Sequence, residues 1–268
     1  MAEIEVYFVA TPIGNRGEMT ARAIEILKSV DIVLCEDTSH SLPLLKYFQI
    51  EKPLLAYHKF NEKAAGGKIA ALLDEGKKLA VITDAGSPCL SDPGQELVKL
   101  LKQRGTPYTF ISGACAAVNA FALSGFSAPF TFVGFLPQKN SERKKLFEKL
   151  GKKLCLVFYS SVHDVMEDLA FLYKELGARN CLMARELTKL HETLIFGKLG
   201  EIKPDALKGE FVLVIEGEEG ENDFLKMTAQ EHLKQNVEAG LSQKEAVKLT
   251  AKQRNVNKNE IYKLTLKK

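Results

Sequence analysis

Two carboxylates, a hydroxyl and an imidazole stand together in the segment Glu36-Asp-Thr-Ser-His40, which follows an apolar run at residues 32–35. Side chains of these types move or orient protons in general acid–base catalysis. Asp and Thr are also common helix N-caps, because their oxygens accept hydrogen bonds from free backbone N–H groups. We therefore take Glu36, Asp37 and His40 as candidate catalytic residues and keep a helix cap, or a role in shaping a pocket, as the alternative.

A second charged segment, residues 184–192, also begins where a predicted strand ends. It contains Glu186 and Lys189, which rank behind the first three residues as groups that could orient a hydroxyl or accept its proton. The alternative interpretation of this segment is a solvated charged loop.

The segment Asp84-Ala-Gly-Ser-Pro-Cys-Leu-Ser-Asp-Pro-Gly94 predicts a ligand-binding loop, because an apolar strand runs directly into it. Gly86 and Gly94 permit backbone conformations that other residues adopt only at a cost, and the two prolines stiffen the chain. In open α/β sheets, ligands bind outside the carboxyl ends of the strands, where this loop would lie.

Three such loops follow predicted strands in the first half of the chain, at residues 11–15, 84–94 and 112–116. Each alone matches an ordinary tight turn, but together they would line one edge of one sheet. None is a Gly-x-Gly-x-x-Gly dinucleotide fingerprint, and no Gly-x-x-x-x-Gly-Lys-[Ser/Thr] phosphate loop occurs. The loops therefore disfavour dinucleotide and nucleoside-triphosphate sites.

Short β-rich runs alternate with helical patterns, which predicts an α/β fold. In the first half, strands are predicted at residues 6–10, 32–35, 79–83 and 108–111, with helices at 21–28, 64–73 and 95–103. We expect these strands to form a mainly parallel sheet. The pattern restarts with strands at 130–133, 154–159, 181–184, 194–196 and 211–215, and with helices at 141–150 and 163–176.

The predicted domains are residues 1–120, 121–222 and 223–268: two α/β domains and a basic helical extension. A Glu- and Gly-rich linker at residues 216–223 precedes the extension, because that stretch has no periodic apolar face. In the extension, Ser242-Gln-Lys-Glu245 and Asn257-Lys-Asn-Glu260 match the capping-box pattern, so two short helices resembling a helix-turn-helix are expected. A helical pair that only packs on the body is the alternative.

The charge of the chain is unevenly distributed. From Lys226 to the end there are ten Lys or Arg against four Asp or Glu, whereas the whole chain carries only +3. A basic appendage on a mildly acidic body is expected if the appendage contacts a polyanion. A solvated helical face is the alternative.

Composition bounds the remaining possibilities. The hydrophobic content of 46% and the charged content of 26% are typical of a globular protein. No signal-like segment precedes the first strand, and the apolar runs are too short to cross a bilayer, so a cytosolic protein is expected. The five cysteines are scattered without metal-ligand spacing, which predicts reduced packing residues and no metal site.

Read in order, these segments resemble the tetrapyrrole methylase superfamily and, within it, the bacterial enzymes that methylate the 2′-hydroxyl of a cytidine in 16S ribosomal RNA. The resemblance spans nearly the whole chain. The matching segments are Ala10-Thr-Pro-Ile-Gly-Asn15, Glu36-Asp-Thr38, His58-Lys-Phe-Asn-Glu62, Asp84-Ala-Gly-Ser-Pro88, Ser91-Asp-Pro-Gly94, Gly134-Phe-Leu-Pro137, Ala184-Arg-Glu-Leu-Thr-Lys189, Gly209-Glu-Phe-Val-Leu-Val-Ile-Glu-Gly217 and Lys258-Asn-Glu-Ile-Tyr262.

The resemblance implies a homodimer that binds S-adenosylmethionine in a cleft between two α/β domains. It implies these cofactor contacts: Pro12, Gly14, Asp84, Ala85, Gly86, Ser87, Pro88, Cys115, Ala116, Tyr159, Ala184, Glu210, Phe211 and Val212. The implied partner is 16S ribosomal RNA or the 30S subunit, held at its phosphates by Arg143, Lys144, Lys145, Arg185, Lys189 and Lys258.

The chain departs from the family pattern mainly on the substrate side. Ser39 stands where the family has Arg, residues 112–116 replace a Pro-Gly-Pro-Ser-Ala loop, and residues 159–164 lack an acid and a base. Two other functions are therefore kept as alternatives: a methyltransferase acting on carbons of tetrapyrrole precursors, and a cofactor- or RNA-binding protein without catalysis. The basic tail argues against the tetrapyrrole substrate.

Overall fold

The computed structural model describes residues 3–150, 153–218, 227–238 and 240–265. The chain divides into two compact units, Met1–Glu216 and Gly217–Lys268. The first unit contains two five-stranded sheets, and the described part of the second is helical.

The first sheet is parallel throughout. Its strands are β1 (Val6–Val9), β2 (Ile32–Cys35), β3 (Leu54–Ala56), β4 (Leu79–Val81) and β5 (Tyr108–Ile111), in the order β3-β2-β4-β1-β5. All four ladders are parallel, so the carboxyl ends of the strands lie at one edge. The expected parallel sheet is confirmed.

Two pairs of helices cover the faces of this sheet and make it a three-layer structure. The helices are α1 (Ala21–Ser29), α2 (Thr38–Tyr47), α3 (Glu62–Asp74) and α4 (Gln95–Arg104). Leu27 of α1 and Leu45 of α2 belong to one buried cluster, whereas Leu73 of α3 and Leu97 of α4 belong to another. Each strand contributes alternate side chains to the two clusters, which is why the strands are apolar on both faces.

The second sheet is mixed. Its strands are β6 (Phe130–Phe135), β7 (Cys155–Ser160), β8 (Asn180–Arg185), β9 (Thr193–Lys198) and β10 (Phe211–Ile215), in the order β6-β7-β10-β8-β9. Only β6 and β7 pair in parallel, and the other three ladders are antiparallel. Helix α5 (Ala116–Ser124) packs on one face, while α6 (Asn140–Leu150) and α7 (Val165–Leu176) contribute to the cluster on the other.

The predicted α/β class is confirmed, and in the first unit the sequence pattern does not reveal three elements: β3, α2 and α5. Helix α5 crosses the predicted domain boundary at residue 120 and packs against the second sheet. The predicted boundary itself stays a prediction.

The second unit contains three helices among its described residues, where two were expected: α8 (Ala229–Glu238), α9 (Gln243–Arg254) and α10 (Lys258–Thr265). The predicted capping box of Ser242 and Glu245 begins α9. Apolar residues from all three helices form one small core, including Leu233, Val247 and Ile261. No helix in the described ranges is long and apolar enough to cross a membrane.

Candidate active site

The loops after β1 and β4 are joined by backbone hydrogen bonds. The N–H of Thr11 donates to the Gly86 carbonyl at 2.8 Å, and the N–H of Gly86 donates back to the Thr11 carbonyl at 3.2 Å. The Thr11 hydroxyl also donates to the Thr83 carbonyl at 3.1 Å. Gly86 has a φ of +78°, a left-handed conformation that favours glycine.

The loop after β5 is tied to the same surface. The Ser87 hydroxyl donates to the Ala114 carbonyl at 3.1 Å. Gly113 passes so close to Ala10 that an added Cβ would lie 2.9 Å from the Ala10 Cβ. The three loops therefore form one connected surface at the carboxyl edge of the first sheet.

A cavity of about 270 Å³, the first cavity, lies between this surface and the second sheet. Most of its floor comes from the loop after β4, and its opposite wall comes from β6, β7, β10 and the segment after β8. The lining residues are Ile13, Glu36, Asp84, Ala85, Gly86, Ser87, Leu90, Ser91, Asp92, Ala116, Phe135, Tyr159, Ser160, Ser161, Leu187, Lys189, Glu210, Phe211 and Val212.

Four carboxylates face the first cavity: Glu36, Asp84, Asp92 and Glu210. Burial and the nearby charges of Glu36, Asp84 and Glu210 raise the pKa of Asp92 to about 7. Burial and Asp84 also raise the pKa of Glu36, against the opposing effect of His58. Carboxylates crowded in this way are stabilised by a positive charge among them, so the cavity suits a cationic ligand.

Lys189 is the one basic residue in the lining, and its ammonium is already paired. Its Nζ lies 2.8 Å from Glu186 and 2.9 Å from Glu210. Burial opposes protonation of Lys189, but hydrogen bonds to these two carboxylates raise its pKa overall. The cavity lining therefore keeps an excess of negative charge.

The Lys189 side chain crosses the cleft as a strap between the two sheets. A Cβ added to Gly14, in the loop after β1, would lie 2.3 Å from the Lys189 Cγ, so the stem of the lysine rests on that glycine. Glu186 and Thr188 both have positive φ angles, 52° and 66°, although neither is glycine. Strained backbone of this kind clusters at functional sites.

A second cavity, of about 650 Å³, lies on the other side of the strap. It shares Ile13, Asp84, Ala85, Lys189 and Glu210 with the first cavity. Its remaining lining residues come from the loop after β1, the segment after β4 and the first two turns of α2: Pro12, Gly14, Arg16, Ser39, His40, Ser41, Pro43, Leu44 and Thr83.

The loop that contains Asp92 is held from below by α3. Glu62 accepts hydrogen bonds from the Gly94 N–H at 2.7 Å and from the buried Tyr57 hydroxyl at 2.9 Å. Cys89 and Ser91 have φ angles of 70° and 69°. Glu62 of α3 thus caps the N-terminus of α4 and holds the loop at residues 84–94, which contains these two strained residues.

Two of the three candidate catalytic residues line a cavity, and they line different ones. Glu36 faces the first cavity and His40 faces the second. Asp37 lines neither, because its carboxylate caps α2 and accepts from the N–H groups of Ser39 and His40. For Asp37, the structure shows the helix cap that was the alternative interpretation.

The residues expected to contact the cofactor divide between the two cavities. Those that line the first are Asp84, Ala85, Gly86, Ser87, Ala116, Tyr159, Glu210, Phe211 and Val212. Pro12 and Gly14 line the second, which also takes in Asp84, Ala85 and Glu210. Pro88, Cys115 and Ala184 line neither, and Ala184 is buried in β8 opposite Val212.

The prediction that Arg143 contacts RNA is wrong for its side chain, which is only 1% exposed. Its Nε donates to the Pro137 carbonyl at 2.6 Å, and its Nη2 lies 3.1 Å from Asp168, close enough for an ion pair without hydrogen-bonding geometry. Asp168 in turn accepts from the hydroxyl of Ser160, a residue of the cavity wall, at 2.6 Å. Arg143 lies on the inner face of α6, one turn from buried Phe147. It therefore contacts the cavity wall only indirectly, through Asp168 and Ser160.

The other predicted RNA contacts differ in exposure. Arg185 is buried and pairs with Asp205 at 3.0 Å, so its guanidinium is not a surface phosphate ligand. Lys189 belongs to the strap. Lys144 and Lys145 on α6, and Lys258 at the start of α10, are exposed as such a role requires.

Several lining residues were not predicted, among them Asp92, Phe135, Ser161, Leu187 and Arg16. Asp92 lies in the loop at residues 84–94, which the sequence predicts to bind a ligand. Its proximity to Glu36, which singles it out within that loop, is visible only in the structure. Phe135 and Leu187 belong to the second sheet and the segment after β8. They were missed because no local sequence pattern shows that this sheet lies over the three loops.

Comparison with known proteins gives one family. The family model "Tetrapyrrole (Corrin/Porphyrin) Methylases" matches residues 5–203. The chain is 40% identical to ribosomal RNA small subunit methyltransferase I of Bacillus subtilis (strain 168), over 96% of this chain and 92% of the relative. It is 36% identical to the protein of that name from Escherichia coli O157:H7, over 98% and 94%.

A shorter relative of the same name, from Coprothermobacter proteolyticus, is 40% identical over 78% of this chain and 96% of its own length. Among solved structures, the methyltransferase CobJ superposes with a TM-score of 0.61 at 17% identity, over 81% of this chain and 95% of that one. Uroporphyrin-III-C-methyltransferase from Thermus thermophilus gives 0.55 at 18% identity, over 79% and 93%. At these identities the two structures show a common fold.

Proposed function

The chain belongs to the tetrapyrrole (corrin/porphyrin) methylase family, and from that premise we propose that it transfers a methyl group from S-adenosylmethionine to the 2′-hydroxyl of a cytidine in 16S ribosomal RNA. The substrate part rests on one observation. Relatives that are 36% to 40% identical over nearly the whole chain are named ribosomal RNA small subunit methyltransferase I.

The first cavity fits S-adenosylmethionine by its chemistry. This cofactor supplies a methyl group on a positively charged sulfur; it also carries an ammonium and a carboxylate group, so its net charge is +1. Glu36, Asp84, Asp92 and Glu210 provide negative charge for both cations. The apolar side chains of Leu90, Phe135, Leu187 and Val212 provide walls for the adenine ring.

Glu36 is the residue that we assign to the proton of the acceptor. When bound, S-adenosylmethionine would supply the methyl group to the ribose 2′-oxygen and keep the electron pair of the carbon–sulfur bond. The Glu36 carboxylate would accept the proton that the hydroxyl loses. Burial and Asp84 raise the pKa of Glu36, which makes its carboxylate a stronger base. The rest of the catalytic contribution is alignment of oxygen, carbon and sulfur with water excluded.

The proposal is tested with labelled S-adenosylmethionine and 30S subunits from a strain that lacks the modification. We expect transfer by the wild type, and a fall of about 100-fold in the single-turnover rate for Glu36→Gln, the range of general-base contributions. Asp37→Asn, the matched control, changes a helix cap and should retain most of the rate. Cofactor binding without transfer to RNA would contradict the proposal and favour a tetrapyrrole substrate or a binding protein.

We further propose that the enzyme is a homodimer. From Thr106 to Gln138 the sequence contains no Asp, Glu, Lys, Arg or His, and this stretch includes α5, which leaves Val118 and Leu123 about half exposed. An apolar surface free of charge is typical of subunit interfaces. Light scattering should give twice the mass of the chain, and the variant Val118→Glu/Leu123→Glu should give the monomer; a monomeric wild type would contradict this.

The RNA is held, in this proposal, by exposed lysines such as Lys144, Lys145 and Lys258. Since the proposed substrate is ribosomal, the proposed place of action is the cytoplasm.

A further inference from the structure

The residues that line only one of the two cavities differ in charge. The first cavity adds Glu36 and Asp92 to the common wall. The second adds Arg16 and His40 and no further carboxylate. A cationic ligand is therefore favoured on one side of the strap and an anionic one on the other.

Arg16 is positioned at the second cavity by a capped turn and by the ring of Tyr47. It begins a short 3-10 turn, Arg16–Glu18, whose first residue is preceded by Asn15, and the Asn15 side chain caps the turn by accepting from the Gly17 N–H at 2.9 Å. Its guanidinium carbon lies 4.8 Å from the centre of the Tyr47 ring on α2. A guanidinium stacked on a ring keeps its N–H donors free at the edge, where they match two oxygens of a phosphate.

No carboxylate of the described residues is ion-paired with Arg16. The side chain is exposed and lines the second cavity. Its charge is thus available to a ligand.

The second cavity meets the first across Ile13, Asp84 and Ala85, beneath the ion pair of Lys189 and Glu210. A ligand seated in each cavity would therefore present one edge to the same short wall. That is the arrangement that transfer between two bound molecules requires.

We propose that the second cavity binds the acceptor nucleotide, with Arg16 on a backbone phosphate and the ribose directed past the shared Asp84 toward Glu36 in the first cavity. This inference rests on the proposed function, and it assigns the acceptor subsite to the residues that line the second cavity.

The first test removes the guanidinium. For Arg16→Ala we expect the KM for 30S subunits to rise about tenfold, the size of one charge-assisted hydrogen-bonded contact. The slope of log Kd for RNA against log salt, measured without cofactor, should fall by about 0.7, the value for one single-strand phosphate contact. The cofactor Kd should be unchanged.

Arg22→Ala is the matched control, because Arg22 is an exposed arginine of α1 that lines neither cavity. It should leave the KM, the salt slope and the cofactor Kd at wild-type values. Equal KM and equal salt slope in Arg16→Ala and Arg22→Ala would overturn the inference while leaving the proposed function intact. A wild type that transfers no methyl to RNA would overturn both.

A second pair of variants fills one cavity at a time. Leu44 lines only the second cavity and Ala116 only the first. Leu44→Trp should abolish transfer at unchanged cofactor Kd, whereas Ala116→Leu should weaken cofactor binding. Transfer at the wild-type rate by a Leu44→Trp protein of wild-type melting temperature would overturn the inference.

Discussion

Asp92 connects the acidity of the first cavity to a measurable pH dependence. Its pKa of about 7 reflects burial and the three other carboxylates of the cavity. A bound cation favours the ionised form, so Asp92 must lose its proton when S-adenosylmethionine binds below that pH. Affinity should therefore increase as pH rises through 7.

We expect this linkage to lower the cofactor Kd of the wild type about tenfold between pH 6 and pH 8. This decrease is in addition to any pH dependence of the Kd that Asp92→Asn also shows. Calorimetry at several pH values measures both proteins, and the variant removes the titration of this carboxyl while keeping its shape. Identical pH profiles for the two proteins would show that Asp92 does not face the cation.

Arg143 shows how burial changes the role of a basic residue. Its guanidinium joins the Pro137 carbonyl to Asp168, and Asp168 holds the Ser160 hydroxyl. Removing one partner leaves the other buried and unpaired, so Arg143→Ala should lower the free energy of unfolding by about 3 to 5 kcal/mol. Lys144→Ala, on the exposed side of the same helix, should change it by less than about 0.5 kcal/mol.

Urea unfolding measures this difference. Equal stability of the two variants would mean that Arg143 is not part of the buried network. The resemblance implies RNA contacts for Arg143, Lys144 and Lys145 alike. Only the helical phase of α6 relative to its sheet separates the buried arginine from its two exposed neighbours.

At the scale of elements, Glu62 on α3 fixes the loop that runs from β4 to α4. Its carboxylate accepts from both the Gly94 N–H and the Tyr57 hydroxyl, and Gly94 has no side chain to cap α4 itself. Glu62→Ala should therefore release this loop and raise the cofactor Kd, by about tenfold if one charge-assisted hydrogen bond is lost.

Glu62→Gln is the informative partner variant, because the amide oxygen can accept the same two hydrogen bonds. We expect it to keep a Kd close to that of the wild type in a calorimetric titration. An unchanged Kd in Glu62→Ala would mean that the loop holds its conformation without this cap.

The elements that the sequence predicts correctly are those whose residue types favour the structure that they adopt. Strands β2, β5 and β10 are continuous runs of β-forming residues, and their bounds agree with the structure. Strand β3, Leu54–Ala56, is short and contains no β-branched or aromatic residue. Helix α2 carries Ser, His and an internal Pro43, which are poor helix formers. Both missed elements lie beside the site, since β3 leads into the loop that approaches Glu36 and α2 forms the second cavity.

At the scale of the whole molecule, the first unit contains both cavities, whereas the stretch from Lys226 to the end, in the second unit, carries the excess of Lys and Arg over Asp and Glu. The shorter Coprothermobacter relative aligns over 78% of this chain and 96% of its own length. The first unit, Met1–Glu216, makes up a similar share of this chain. We therefore expect the second unit to add affinity for RNA rather than catalytic groups.

Replacing the exposed lysines Lys248, Lys252 and Lys258 with Ala in the full chain tests this expectation. If all three contact single-stranded phosphates, the salt slope of RNA binding should fall by about 2, with the cofactor Kd unchanged. Exposed lysines of the first unit, Lys28, Lys68 and Lys102, provide the matched triple control. Equal slopes for the two triple variants would remove the second unit from RNA binding.

The chemical identity of the product distinguishes ribose methylation of RNA from every alternative reaction. 30S subunits from a strain that lacks the modification are incubated with the protein and labelled S-adenosylmethionine, and the 16S RNA is then digested to nucleosides for mass spectrometry. We predict one labelled 2′-O-methylcytidine per subunit, formed about 100-fold more slowly by Glu36→Gln. A label on a base, on another nucleoside or on no RNA at all would contradict the account.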